Sequence, residues 1–245
     1  MLIKKFQVLI NLLISTLSFA FGQSERDLMF NNGLRVFEKG YYISAIEYFD
    51  HAINIDSTFA IAYYYKGLAY KKGTFGDIHP DIVSNFKKAI ELDTIQNFWE
   101  AYYYLARLSV FIDKSYDTLF DKAIKLQPNN SDIYLDRGFN YLMKRDFNNA
   151  ILDFEKSLQL NSTNFDALKK LASCYLVQKK DLDKALDCYN KALKIKPKDI
   201  GLLIDRTRVF CKLGKISKAK QDLKTLNKIN QKFNTIDADC NIIYD

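Results

Sequence analysis

Apolar residues recur along most of this chain at i, i+3, i+4 and i+7, the spacing that lines one face of an α-helix. The pattern comes in pairs of segments, as in Asp132–Lys144 followed by Asn148–Leu160, and each pair predicts two amphipathic helices folded into an antiparallel hairpin. Only 3 Pro and 9 Gly stand against 16 Tyr and 18 Phe, so few residues break helices and many bulky side chains are available to pack between them. Strands are disfavoured on the same grounds. With 48% apolar and 27% charged residues over 245 positions, the chain has an ordinary globular balance that excludes disorder on a large scale.

Self-comparison organises these hairpins. Asp50–Ile55, Lys87–Leu92, Asp121–Leu126, Glu155–Leu160 and Asn190–Ile195 are variants of one segment, and Lys224–Ile229 is a weaker sixth copy. Their third residues, Ala52, Ala89, Ala123, Ser157, Ala192 and Leu226, are spaced by 37, 34, 34, 35 and 34 positions. Three residues before each comes a large one: Phe49, Phe86, Phe120, Phe154, Tyr189 or Leu223. Four further back stand Ala45, Ala150, Ala185 and Ala219, with Ile82 and Tyr116 in the other two units. The preceding helix carries a small residue at Gly33, Gly67, Ala106, Gly138 and Ala172, and Thr207 in the sixth unit. Pro128 and Pro197 close two units, where others have Ser57, Thr94, Ser162 and Gln231.

In period and in these places the chain resembles the tetratricopeptide repeat family. The resemblance implies an all-α fold, an α-solenoid of about six stacked antiparallel helix hairpins wound into a superhelix. The units run approximately 26–59, 60–96, 97–130, 131–164, 165–199 and 200–231. It also implies that the large residue is buried between neighbouring hairpins, and that the small one stands where two helices cross closely. Units two and three depart from the pattern: Gly73–Pro80 is three residues longer than the family's turn, and the third unit is shortened around Phe111–Lys114. Pro80 suits the first position of a helix, where its missing N–H is not needed.

The family is one of binding scaffolds, and its ligand groove is lined by the first helix of each unit. Carried over, the groove comprises Tyr64, Leu68 and Lys71 in the second unit, Tyr103 and Arg107 in the third, and Leu135, Phe139 and Leu142 in the fourth. Lys169 and Ser173 follow in the fifth and Ile204 and Arg208 in the sixth. Apolar and aromatic groups lie centrally, with cations towards the C-terminal end, which suits a protein or peptide partner with apolar anchors and acidic residues. The Lys, Asn and Arg places of the family's carboxylate clamp are not reproduced.

Charge sharpens this expectation. Residues 23–164 carry 16 basic and 19 acidic groups, whereas residues 165–231 carry 17 basic and 7 acidic ones. The C-terminal third therefore has a positive field suited to acidic proteins or to an anionic lipid or polysaccharide surface; the alternative is a lysine-rich solvated face. Nucleic acid is not an expected partner, because no recognised binding motif is present. No catalytic, metal or cofactor motif is found: His51 and His79 fit no HExxH or zinc-finger spacing, and no phosphate-cradling glycine loop occurs. Since repeats fill 26–231, no separate catalytic domain is expected within the chain. The segment 232–245, with Ile236, Ile242, Ile243 and Tyr244, reads as a cap for the last hairpin or as a loose or docking end. Uncapped repeat ends also permit self-association.

The first residues follow a different rule. Lys4 and Lys5 precede an uncharged run from Phe6 to Phe21, and Ala20 and Gly22 are small, the layout of a cleaved secretory signal comprising 1–22. Retention as an anchor is the alternative, although Gln7, Asn11, Ser15, Thr16 and Ser18 dilute the run. Export to a periplasm or cell surface would place Cys174, Cys188, Cys211 and Cys240 in an oxidising compartment; disulfide pairing and isolated burial are both open to them. Intact-mass measurement of the exported protein should give a chain beginning at Gln23, and a mass that includes Met1 to Gly22 refutes cleavage.

Overall fold

The structure, a computed structural model, describes residues 21, 24–73, 79–94, 98–108, 118–229, 233–236 and 242–244. The signal run, the cleavage point after Gly22, the inserted loop 74–78, the shortened turn 109–117 with Tyr116, and Cys240 lie outside the described residues. The fold is an all-α solenoid of helical hairpins. Its helices are α1 (24–38), α2 (Tyr42–Ile55), α3 (Ala60–Gly73), α4 (Pro80–Leu92), α5 (Trp99–Leu108) and α6 (Leu119–Leu126). There follow α7 (Ser131–Met143), α8 (Phe147–Leu160), α9 (Phe165–Cys174), α10 (Leu182–Ile195), α11 (Ile200–Lys212) and α12 (Ile216–Ile229).

The chain forms two compact units. Of the described residues, one unit holds α1 to α6 and the other holds α7 to α12 with the short strands that follow. Each odd-numbered helix and the even-numbered helix that follows make one hairpin.

The repeat markers lie in the core. Ala52, Ala89, Ala123, Ser157, Ala192 and Leu226 are all fully inaccessible. The large residues three positions earlier are buried too, from Phe49 and Phe154 at 0% exposure to Leu223 at 8%. What the small first-helix residue accommodates is the ring of its own hairpin. A Cβ added to Gly33 would meet Phe49 Cε1 at 2.6 Å, one at Gly67 would meet Phe86 Cδ1 at 2.7 Å, and one at Gly138 would meet Phe154 Cε1 at 2.9 Å. In the sixth unit Thr207 fills this place and turns its hydroxyl inwards, Oγ1 donating to the Leu203 carbonyl at 2.7 Å. In the N-terminal unit Phe30 adds rings from Phe49, Phe59 and Tyr65 at 5.2–5.7 Å, tilted or edge-on.

Short turns hold the helices in register. Asn130, Asn164 and Asp199 cap the first helices α7, α9 and α11, and Asp146 and Asp181 cap the second helices α8 and α10, each side chain accepting from a backbone N–H. His79 caps α4, its Nδ1 accepting from the Asp81 N–H at 3.3 Å, and Pro80 opens that helix as the sequence implied. First helices end with a residue of positive φ: Gly40 (84°), Arg145 (61°), Lys180 (49°) and Gly214 (68°). Around Arg145 the Arg145 N–H donates to the Leu142 carbonyl at 3.0 Å and the Asp146 N–H to that of Tyr141 at 2.9 Å, as the equivalent groups do around Gly40 and Gly214. The fifth unit has one residue more than its neighbours between its helices. That residue is absorbed as a π turn over Tyr175–Lys179 that continues α9.

The tail departs from the helical expectation. Phe233–Ile236 (β1) pairs antiparallel with Ile242–Tyr244 (β2), and β1 lies beside α12.

Two substitutions test this packing. Phe154→Ala should cost about 3–5 kcal/mol in chemical denaturation, because Gly138 cannot fill the space vacated by the ring; an unchanged midpoint would refute the register. Arg145→Gly should stabilise the chain by about 1 kcal/mol, since glycine adopts the left-handed conformation without the Cβ penalty, read as a rise in the thermal midpoint.

Candidate functional site

In the N-terminal unit, two of the residues assigned to a groove take part in packing. The Tyr64 hydroxyl donates to Glu100 Oε2 at 2.6 Å, and its ring stacks on Phe98 at 4.6 Å and 12°, which joins α3 to α5. Burial, then the bond to Glu100, holds that hydroxyl well above the ordinary tyrosine range. Leu68 belongs to the core with Phe86, Phe98 and Leu105. The other three remain at the surface or near it. Lys71 places its ammonium 5.6 Å from the Tyr104 ring centre, and along α5 Trp99 stacks on Tyr103 at 6.2 Å while Arg107 lies 5.8 Å over Tyr103. Trp99 was not among the residues read from sequence, although it stands four before Tyr103 on the same helix face.

In the C-terminal unit the first helices present apolar groups on α7 and cations on α9 and α11. Leu135 and Leu142 are half-buried against the core. Phe139, also half-buried, carries the Lys170 ammonium of α9 at 4.8 Å from its ring centre. Lys169, Ser173 and Arg208 are exposed, and Ile204 is half-buried against the core. Asp205 lies among the charged members. It pairs with Arg208 at 3.5 Å, and burial raises its pKa against the opposing effects of Arg208 and Lys169. The Tyr189 hydroxyl, from the buried ring of the fifth hairpin, is shifted upwards by burial, then by Asp205.

Sequence reading missed two buried ion pairs sixteen residues apart. Arg137 grips Asp153 with two bonds of 2.8 Å, and Arg206 grips Asp222 at 2.8 and 2.7 Å, while its Nη1 donates to Asn190 at 2.8 Å. Both carboxylates are nearly inaccessible, and a bidentate guanidinium satisfies them. The hairpin between them has Leu171 and Cys188 at the corresponding places, hence an apolar contact. Cys174, Cys188 and Cys211 are all buried in this unit's core. Burial pushes the Cys174 and Cys188 thiols up to about 11, so neither is a nucleophile at neutral pH.

Open clefts lie elsewhere. One of about 520 Å³ is bounded by α8, α9 and α10, and one of about 620 Å³ by α10, α11 and α12; no residue assigned to the groove lines either. His51 is exposed, and the His79 ring stacks on Tyr70 at 5.8 Å besides capping α4. Among the described residues no group of three His, Cys, Asp or Glu is placed to hold a metal ion, and no helix is long and apolar enough to cross a membrane.

Comparison with known proteins agrees with this geometry. The family model for the tetratricopeptide repeat matches residues 166–199, the fifth hairpin. The photosystem I assembly protein Ycf3 of Prochlorococcus marinus is 31% identical over 122 residues, covering 46% of this chain and 70% of that protein. The chain spans about two thirds or less of the length of further curated relatives that it matches. Among solved structures, the C-terminal part of a repeat-containing protein from Cytophaga hutchinsonii superposes with a TM-score of 0.66 at 18% identity, over 82% of this chain and 78% of that one. YrrB, described as a repeat protein with an unusual peptide-binding site, superposes with a TM-score of 0.60 at 22% identity, over 69% and 85%. With six hairpins in register, their aromatic residues seated on small ones and a relative matched over most of its length, the chain belongs to the tetratricopeptide repeat family.

Proposed function

We propose that this chain is a non-enzymatic scaffold that holds a segment of a protein partner on the first-helix face of its hairpins, outside the cytoplasm. Members of the family mediate protein–protein interaction. The observation that carries the proposal is the C-terminal unit's juxtaposition of half-buried Leu135, Phe139 and Leu142 with exposed Lys169 and Arg208. Apolar anchors beside cations fit a segment with apolar side chains and carboxylates, and Trp99, Tyr103 and Arg107 offer similar chemistry in the N-terminal unit. The relative from Prochlorococcus is named as an assembly protein, which supports a role in protein association. The location rests on the signal-like layout of residues 1–22.

A second reading is favoured by α12. Lys220, Lys224 and Lys228 are exposed at i, i+4 and i+8, one stripe along the last helix, and would suit an anionic lipid or polysaccharide surface. Salt separates the two, because at 0.5 M the electrostatic reach falls to about 4 Å.

A photoreactive residue in place of Phe139 or Tyr103, used in the native host, should capture one dominant protein, and the capture should persist in 0.5 M salt. A label at exposed Asn148, in the first turn of α8, should not capture it. Equal capture at all three positions, or recovery of lipid or polysaccharide alone, overturns the scaffold reading on this face.

A further inference from the structure

The two clefts of the C-terminal unit are one site occurring twice. Leu158, Leu168, Tyr175 and Lys184 of the first occupy the places of Leu193, Leu203, Phe210 and Lys218 in the second, one repeat later. Asp187 on α10 lines both, so the clefts adjoin across that helix. They exist because α8, α10 and α12 pack on the first helices between them rather than on one another, which leaves a trough floored by α9 and then by α11. Each has the size of a ligand site.

Their chemistry differs in the floor and agrees at the rim. Leu171 and Cys188 make the first floor apolar, whereas the Arg206–Asp222 pair makes the second polar. Lys184, Lys191, Lys194 and Lys218 stand exposed around them. Lys191 pairs with Asp187 at 2.6 Å and Lys184 with Asp181 at 3.5 Å; among the described residues no carboxylate pairs with Lys194 or Lys218. The surrounding stretch 165–231 holds 17 basic against 7 acidic groups, so the field over the trough is positive.

We infer that the two clefts form a docking track for an acidic, extended protein segment that crosses α10, seats an apolar side chain over α9 and sets a carboxylate or amide over Arg206. A chain-like ligand is required because the site is periodic and continuous, so that two adjoining anchors are met by one strand of peptide. Carboxylates complete the unpaired rim lysines. This surface lies on the second-helix side and is independent of the first-helix groove, so the protein can hold two partners, or two segments of one partner, at the same time.

The test selects random 12-residue peptides displayed on phage against the full purified chain, then measures fluorescence anisotropy with a synthetic copy of a selected peptide. Selected peptides should be rich in Asp and Glu with an apolar residue among them, and should protect amides of α10 and α12 from hydrogen exchange. Lys194→Glu combined with Lys218→Glu, at two exposed positions and with folding checked by circular dichroism, should weaken binding by roughly tenfold or more. Lys169→Glu combined with Arg208→Glu should leave it intact. Loss in the second pair alone would move the peptide to the first-helix face and overturn this inference while sustaining the proposed function. Selection of peptides without acidic bias, selection of none, or binding only to phosphatidylglycerol vesicles would overturn it as well.

Discussion

The fold depends on one contact, the seating of a second-helix aromatic ring on a first-helix residue with little or no side chain. At Gly33, Gly67 and Gly138 the ring lies where a Cβ would stand. The ring therefore fixes how closely the two helices approach, and its outer side is left to be covered by the next hairpin. A hairpin by itself cannot bury that second side, so stability accrues from each neighbour in turn. The surfaces available for binding are the two sides that stacking does not consume.

Those two sides differ in character. On the first-helix side, aromatic and apolar residues are drawn into packing with the following hairpin, which is the fate of Tyr64 and Leu68. Lys169 and Arg208, which hold the same two repeat places in the fifth and sixth units, stay exposed. On the second-helix side, the helices stand apart and leave a trough whose floor belongs to the first helices. The same geometry that closes the core thus opens a face that the family's usual ligand groove does not use.

Much of the fold was legible because the repeat constraint falls on single residues. Ala52, Phe154 and Gly138 were each picked out by the repeat and its resemblance to the family, and each is buried. The site was legible in part. Its register followed from the repeat, but the use of a given side chain depends on contacts far apart in sequence, such as the 36 residues between Tyr64 and Glu100. Trp99 and the ion pairs went unread for a related reason: a helix-face pattern reports polarity and not who meets whom. The strands of the tail gave no signal either, since Phe233–Ile236 and Ile242–Tyr244 are too short to show an alternation.

The buried ion pairs have a consequence for how the chain finds its register. Six similar hairpins invite mispairing, a first helix closing on the second helix of a neighbour. If α7 closed on α10, Arg137 would meet Cys188 in place of Asp153, leaving a guanidinium without its carboxylate in a low-dielectric interior at a cost of about 3–5 kcal/mol. If α9 closed on α8, Leu171 would meet Asp153 and strand the carboxylate instead. Alternation of charged and apolar pairs through hairpins four, five and six thus works as a parity check, rejecting a slip of one unit that hydrophobic burial alone would tolerate.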